Sequence, residues 1–224
     1  MTEAEWLVCT KPVSMLRLLG PRMTARKGRL LACACYRERG WDQGCEPPYR
    51  NAVAVAEKYA DGLADNIALF ASKPRLESAR GGEPRFGPGA RWPMPEDETT
   101  IVIYWRNLAA RDLTSEQMGL VENGAVYAAG MEAGREPRRE HARFVRCVFG
   151  NPFRPTTLEH SWLTSTVLTL ASGIYAERAF DRLPILADAL QDAGCENIDI
   201  LSHCRSEGPH VRGCWVVDLL LDKN

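Results

Sequence analysis

The sequence predicts a mostly α-helical protein, an irregular multi-helix bundle with a long Pro/Gly-rich central loop. Three observations predict it. Apolar residues recur at three- and four-residue offsets at both ends of the chain. Thr, Asn, Pro and Gly punctuate those runs where helix caps and stops belong. Only Thr99–Leu108 (TTIVIYWRNL) has the β-branched and aromatic character of a strand, and it has no evident partner.

The elements follow in order. Leu16 and Leu19 mark a first short helix, stopped by Gly20-Pro21. Thr24 offers an N-cap for RKGRLLACACYRER, in which Leu30, Leu31, Ala34 and Cys35 share one face. Pro47-Pro48 precede RNAVAVAEKYADG, with Ala52, Val53, Ala56, Tyr59 and Ala60 at helical spacing and Gly62 at the C-cap. After the isolated strand candidate, Thr114 and Gln117 suggest a capping box opening a helix with Met118, Val121, Ala125 and Ala128. A helix over Glu136–Phe149 ends at GNPFRP (Gly150–Pro155). Val167, Leu170, Ala171, Ile174 and Tyr175 form one stripe, and Leu183, Leu186, Ala187 and Leu190 the next. Asp181 is the expected cap of the second stripe, Pro184 suits its first turn and Gly194 its end. Asn197 caps a short IDILSHC helix, and VRGCWVVDLLL reads as a buried last helix.

Lys73–Glu98 holds five Pro and four Gly in 26 residues, a density no regular element tolerates. It divides the chain into an N-terminal helical segment (1–72), a linker or long loop (73–98) and a C-terminal helical domain (99–224). Hydrophobic residues make up 45% and charged residues 25% of the 224, enough apolar content to build a core without staples. The net charge of −1 gives no global field favouring nucleic acid or anionic lipid. MTEAEWLVCTKPVSMLRLLG lacks the basic start of a signal peptide, and no run is long enough to span a membrane. A cytoplasmic protein with reduced thiols is expected, the eight cysteines acting chiefly as small buried hydrophobes.

The stretch HCRSEGPHVRGCWVVDLLL (His203–Leu221) concentrates candidate chemistry. Cys204, His210 and Cys214 are ligand types that zinc prefers, with Cys195 or His203 as a fourth. Their spacing matches no standard ligand knuckle, and a helix cannot readily aim adjacent His203 and Cys204 at one ion. Packing is therefore the favoured reading and zinc the alternative. Cys33 and Cys35 diverge on a helix and cannot share an ion. No nucleophile elbow, HExxH, P-loop or GxGxxG is present, so no catalytic residue is assigned; an enzyme would need His210 joined with an acid such as Asp181 or Asp218. Arg22, Arg26, Lys27 and Arg29, and the stripe Arg139, Arg143 and Arg146, read as solvated faces rather than a nucleic-acid surface. Asp218 sits in an apolar run. It must face solvent or be clasped by arginine, for which Arg154, Arg178 and Arg182 are candidates, while Arg212 shares its helical face poorly.

MTEAEWL, RKGRLLACACYR, RNAVAVAEKYADGLA, FGNPFRP, IYAERAFDRLPILADALQDAGC and ILSHCR…GPHVRGCWVVDLLL together resemble a family of uncharacterised bacterial proteins associated with GC-rich genomes such as those of planctomycetes. The resemblance covers both ends of the chain and departs from it between Lys73 and Arg138. It implies no activity, substrate or cofactor. It implies that FGNPFRP, Phe180–Cys195 and His203–Leu221 are hallmarks. The resulting expectation is a non-catalytic interaction or scaffold module that presents Phe153, Arg154, His210 and Arg212 to a protein partner. The alternatives are a zinc-binding module and an enzyme with its site near His210.

Overall fold

The computed structural model describes residues 1–38, 47–72 and 135–223, and these are helical, with no strand among them. The expected linker at 73–98, the strand at 99–108 and the helix following Thr114 lie outside the described residues. The helices are α1 (Glu3–Val8), α2 (Pro12–Leu19), α3 (Ala25–Glu38), α4 (Pro47–Ala60), α5 (Asn66–Ala71), α6 (Arg135–Phe149), α7 (Ser165–Glu177), α8 (Leu183–Asp192), α9 (Ile198–Arg205) and α10 (Trp215–Leu220).

Capping chemistry sets most of the boundaries. Thr2 and Glu5 form a capping box on α1: the Glu5 N–H donates to Thr2 Oγ1 at 3.3 Å and the Thr2 N–H to Glu5 Oε2 at 2.8 Å. Thr24 accepts from the Lys27 N–H at 3.3 Å ahead of α3, as its sequence position predicts. α4 starts at Pro47, so the two prolines form its first turn instead of preceding it. It ends in a Schellman turn: Leu63 N–H donates to Lys58 O and Gly62 N–H to Tyr59 O, with Gly62 at φ 70. α8 ends the same way, with Gly194 at φ 86. Asp181 does not cap α8. It lies in the 3-10 turn Phe180–Arg182, and Arg182 occupies the N-cap without a side-chain bond. Asn197 does cap α9, accepting from the Ile200 N–H at 3.1 Å. The last helix is shorter than its apolar run: Val211–Gly213 form a turn, and Cys214 is the N-cap.

Two apolar cores result. Trp6, Met15, Leu16, Leu19, Leu31 and Val53 lead the first, and Leu183, Leu186, Leu190, Ile200, Val216 and Val217 the second. Each fully buried large side chain contributes about 1.5–3 kcal/mol. α6, grouped by sequence with the C-terminal helices, serves both: Ala142, Phe144, Val145 and Val148 enter the first core and Cys147 the second. Val211 packs against both.

Two buried carboxylates on α4 and its end tie the halves together. Glu57 accepts from Arg37 Nε and Nη2 at 2.9 and 2.7 Å and also from Arg178. Asp61, four residues on, receives Arg26 Nη2 at 3.1 Å, Arg212 Nε at 2.8 Å and the Tyr175 hydroxyl. Asp218 is 1% exposed and is answered by Arg26, at 2.6 and 3.1 Å. The partner is thus none of the expected arginines. Arg154 pairs with Glu3, Arg178 with Glu57 and Arg182 with Glu177. The clasp joins α3 to α10 across the two halves.

The electrostatics follow from this packing. Burial raises the Asp218 carboxyl above its ordinary value, against the opposing pull of Arg26. Burial would raise Asp61 as well, but hydrogen bonds from Tyr175, Arg212 and Arg26 overcome it and hold that carboxyl below the usual range. Tyr175 is pushed up to about 12 by burial and by its bond to Asp61.

Candidate metal centre

Four side chains converge between α6, α9 and the start of α10. Cys147 comes from the last turns of α6, His203 from the end of α9, His210 from the loop after it, and Cys214 from the N-cap of α10. Their ligand atoms all lie within 4.8 Å of one another. His203 Nε2 is 3.2 Å from Cys214 Sγ, and His210 Nδ1 is 3.9 Å from Cys147 Sγ. A tetrahedral zinc ion with bonds of about 2.3 Å to sulfur and about 2.0–2.1 Å to nitrogen has ligand–ligand edges of roughly 3.3–3.8 Å. The two nitrogen–sulfur pairs are already near those edges, and the rest of the set closes onto an ion with movements of about an ångström.

The surroundings hold the ligands in the required states. His210 Nε2 lies 3.2 Å from the Ser206 carbonyl, an acceptor only, so this nitrogen donates and leaves the Nδ1 lone pair for the cluster. The two imidazoles meet edge to face with centroids 4.8 Å apart. The Val211 N–H donates to Cys147 Sγ at 3.4 Å, a bond that favours thiolate. Burial acts to raise the Cys214 thiol, but the adjoining Cys147 thiol and His203 imidazole overcome it and hold Cys214 well below its ordinary value. Burial and the neighbouring Cys214 sulfur push Cys147 well above its own. An ion of charge +2 would favour the ionised form of both sulfurs.

Local sequence explains the convergence. Gly213, at φ 89, makes the turn that delivers Cys214, and a Cβ there would sit 2.9 Å from Leu30 Cδ1. Arg212, between the two loop ligands, is pinned to Asp61 and lies over the Tyr175 ring at 4.5 Å. Gly150 ends α6 at φ 66 and lies flat against Trp215, where a Cβ would be 3.2 Å from the indole. Arg143 donates to the Gly208 carbonyl, holding the loop from the other side.

The ligand set expected from sequence, Cys204 with His210 and Cys214, is brought together only in part. His210 and Cys214 are in the cluster. Cys204 is 0% exposed in the second core and is not among the converging atoms, as its neighbour His203 takes the inward position on α9. Cys195 is likewise a core residue. Cys147, the member that sequence spacing does not reveal, lies far upstream on another helix, and no spacing rule links it to the loop. Cys33 and Cys35 are buried on α3, Cys33 facing the Val53 carbonyl at 3.9 Å.

The other expected site residues divide in the same way. Phe153 and Arg154 are at the surface, the latter 2.5 Å from Glu3; His210 faces the cluster and Arg212 the clasp. Asp181 is exposed and Asp218 is engaged by Arg26, so neither acid meets His210. The arginine stripe on α6 is not simply a solvated face: Arg146 turns inward and donates to Trp6 O at 3.1 Å and Cys9 O at 2.9 Å.

No family model, curated protein or solved structure matches this chain. No helix among the described residues is long and apolar enough to cross a membrane.

Proposed function

We propose that the protein is a zinc-binding helical module in which Cys147, His203, His210 and Cys214 hold one ion. The convergence of two sulfurs and two imidazole nitrogens within 4.8 Å carries the reading. This donor set is of the soft and borderline kind that zinc takes in preference to calcium or magnesium. Four protein ligands fill a tetrahedral shell and leave no open position for a reacting water, so the ion's role is structural. It fastens the Ser206–Cys214 loop and the start of α10 to α6, the helix shared by both cores. The short contact between His203 and Cys214 also resembles a thiol nucleophile with its base, but Cys214 is 0% exposed and offers no sulfur to a substrate. The module is therefore read as non-catalytic, an ion-locked scaffold whose exposed Phe153 and Arg154 remain available to a protein partner.

Elemental analysis tests this on protein purified without a metal-affinity tag. One zinc per chain is expected, retained in Cys204→Ala and lost in Cys147→Ser. A folded, metal-free wild-type protein that fails to take up added zinc would overturn the reading, as would loss of zinc in Cys204→Ala with Cys147→Ser unaffected.

A further inference from the structure

An open cleft of about 420 Å³ lies beside the metal centre. Cys147, His203 and His210 contribute to one part of its wall, and Phe149, Gly150, Asn151, Arg154 and Pro155 from the FGNPFRP loop to another. The FGNPFRP loop and the His203–Leu221 stretch thus meet in one concavity. Its charge is lopsided. Lys27, Arg143, Arg146 and Arg154 line it, against a single carboxylate, Asp199.

Two of these cations are not neutralised locally. Arg154 is held by Glu3 at 2.5 Å and lies 3.8 Å from Asp199, and Arg143 pairs with Glu140 at 3.1 Å. Arg146, by contrast, bonds among the described residues only backbone carbonyls and the Met15 sulfur. Lys27 forms no ion pair within 4.0 Å among the described residues. Of the groups that attract it electrostatically, Asp218 is committed to Arg26 and Cys214 belongs to the metal cluster. Lys27 and Arg146 are both half-buried and so held partly out of water. Partly desolvated, unpaired cations facing a cavity large enough for a metabolite are a costly arrangement that a bound anion relieves.

We infer that this cleft binds a small oxyanion, a phosphorylated or carboxylated molecule of metabolite size, with Lys27 as its principal counter-charge and Arg146 behind it. The anion sits beside the metal centre and does not coordinate the ion, whose shell is full. The inference goes beyond metal binding and does not need it, since Lys27 and Arg146 are placed by α3 and α6.

Isothermal titration calorimetry on the full chain tests it, with inorganic phosphate and succinate as the two probes, and with zinc content measured on each sample before and after chelation. At least one probe is expected to bind saturably. Tighter phosphate binding assigns a phosphate ester and tighter succinate binding a carboxylate. Lys27→Met should weaken the preferred probe by about tenfold, the loss of one charge-assisted hydrogen bond, while Lys58→Met, an exposed lysine away from the cleft, leaves it unchanged. Absence of binding by both probes to folded protein overturns the inference. So does binding that Lys27→Met leaves intact, or that Lys58→Met weakens equally. Zinc-free protein that still binds the probe separates this inference from the metal reading.

Discussion

Replacing Asp61 with asparagine isolates the clasp that holds the two halves together. The Asp61 side chain is 1% exposed, and the arginines it receives, Arg26 and Arg212, are 12% and 15% exposed. In the native clasp two guanidinium groups face two carboxylates, Asp61 and Asp218. Asp61→Asn keeps the shape, removes one charge and leaves Arg212 without its carboxylate partner, while Arg26 keeps Asp218. Breaking a buried pair from one side costs about 3–5 kcal/mol. A protein of this kind has a total stability of roughly 5–15 kcal/mol, so the loss takes about a fifth of it or more. At about 2–4 °C per kcal/mol for this chain length, the thermal midpoint followed by far-UV circular dichroism should fall by roughly 6–20 °C. A change within about 0.5 kcal/mol, the range of an ordinary surface substitution, would refute the argument that this cluster bears on stability.

Two further outcomes follow from the same geometry. Tyr175 rises from 10.0 to about 12 on folding, so its contribution is complete below about pH 10 and lost as pH rises towards 12. Comparing urea midpoints of wild type and Tyr175→Phe across that window should show a steeper alkaline decline in wild type; parallel curves would mean that Tyr175 titrates as in the unfolded chain. Gly213→Ala places a Cβ 2.9 Å from Leu30 Cδ1 at φ 89, and crowding together with the left-handed backbone should lower stability by roughly 2–4 kcal/mol. Because Gly213 precedes Cys214, zinc affinity measured by competition with a chromophoric chelator should fall too. Unchanged stability would show that the turn relaxes freely.

Much of the fold is legible in the sequence because helix formation and capping are local. Thr24, Asn197, Gly62 and Gly194 sit where their chemistry places them. The T-x-x-E of Thr2–Glu5 and the aspartate at Asp65 announce α1 and α5 as well, to a reader who weighs caps above apolar periodicity in helices of only six residues. Asp181 misleads because a 3-10 turn intervenes before α8. The site is less legible, since it is assembled from three helices and a loop. His210 and Cys214 stand out by residue type, whereas Cys147 is indistinguishable from a core thiol until α6 is placed against the loop. Asp218 is conspicuous by its apolar neighbours, yet its partner Arg26 lies almost two hundred residues away in sequence, where no pattern connects them.

The proposed centre is one zinc ion held by two cysteines and two histidines. X-ray absorption at the zinc edge of the loaded protein tests it most directly. The geometry predicts a four-coordinate shell with two sulfurs at about 2.3 Å and two imidazole nitrogens at about 2.0–2.1 Å. A shell with no sulfur, or with oxygen atoms in place of the imidazoles, would contradict it.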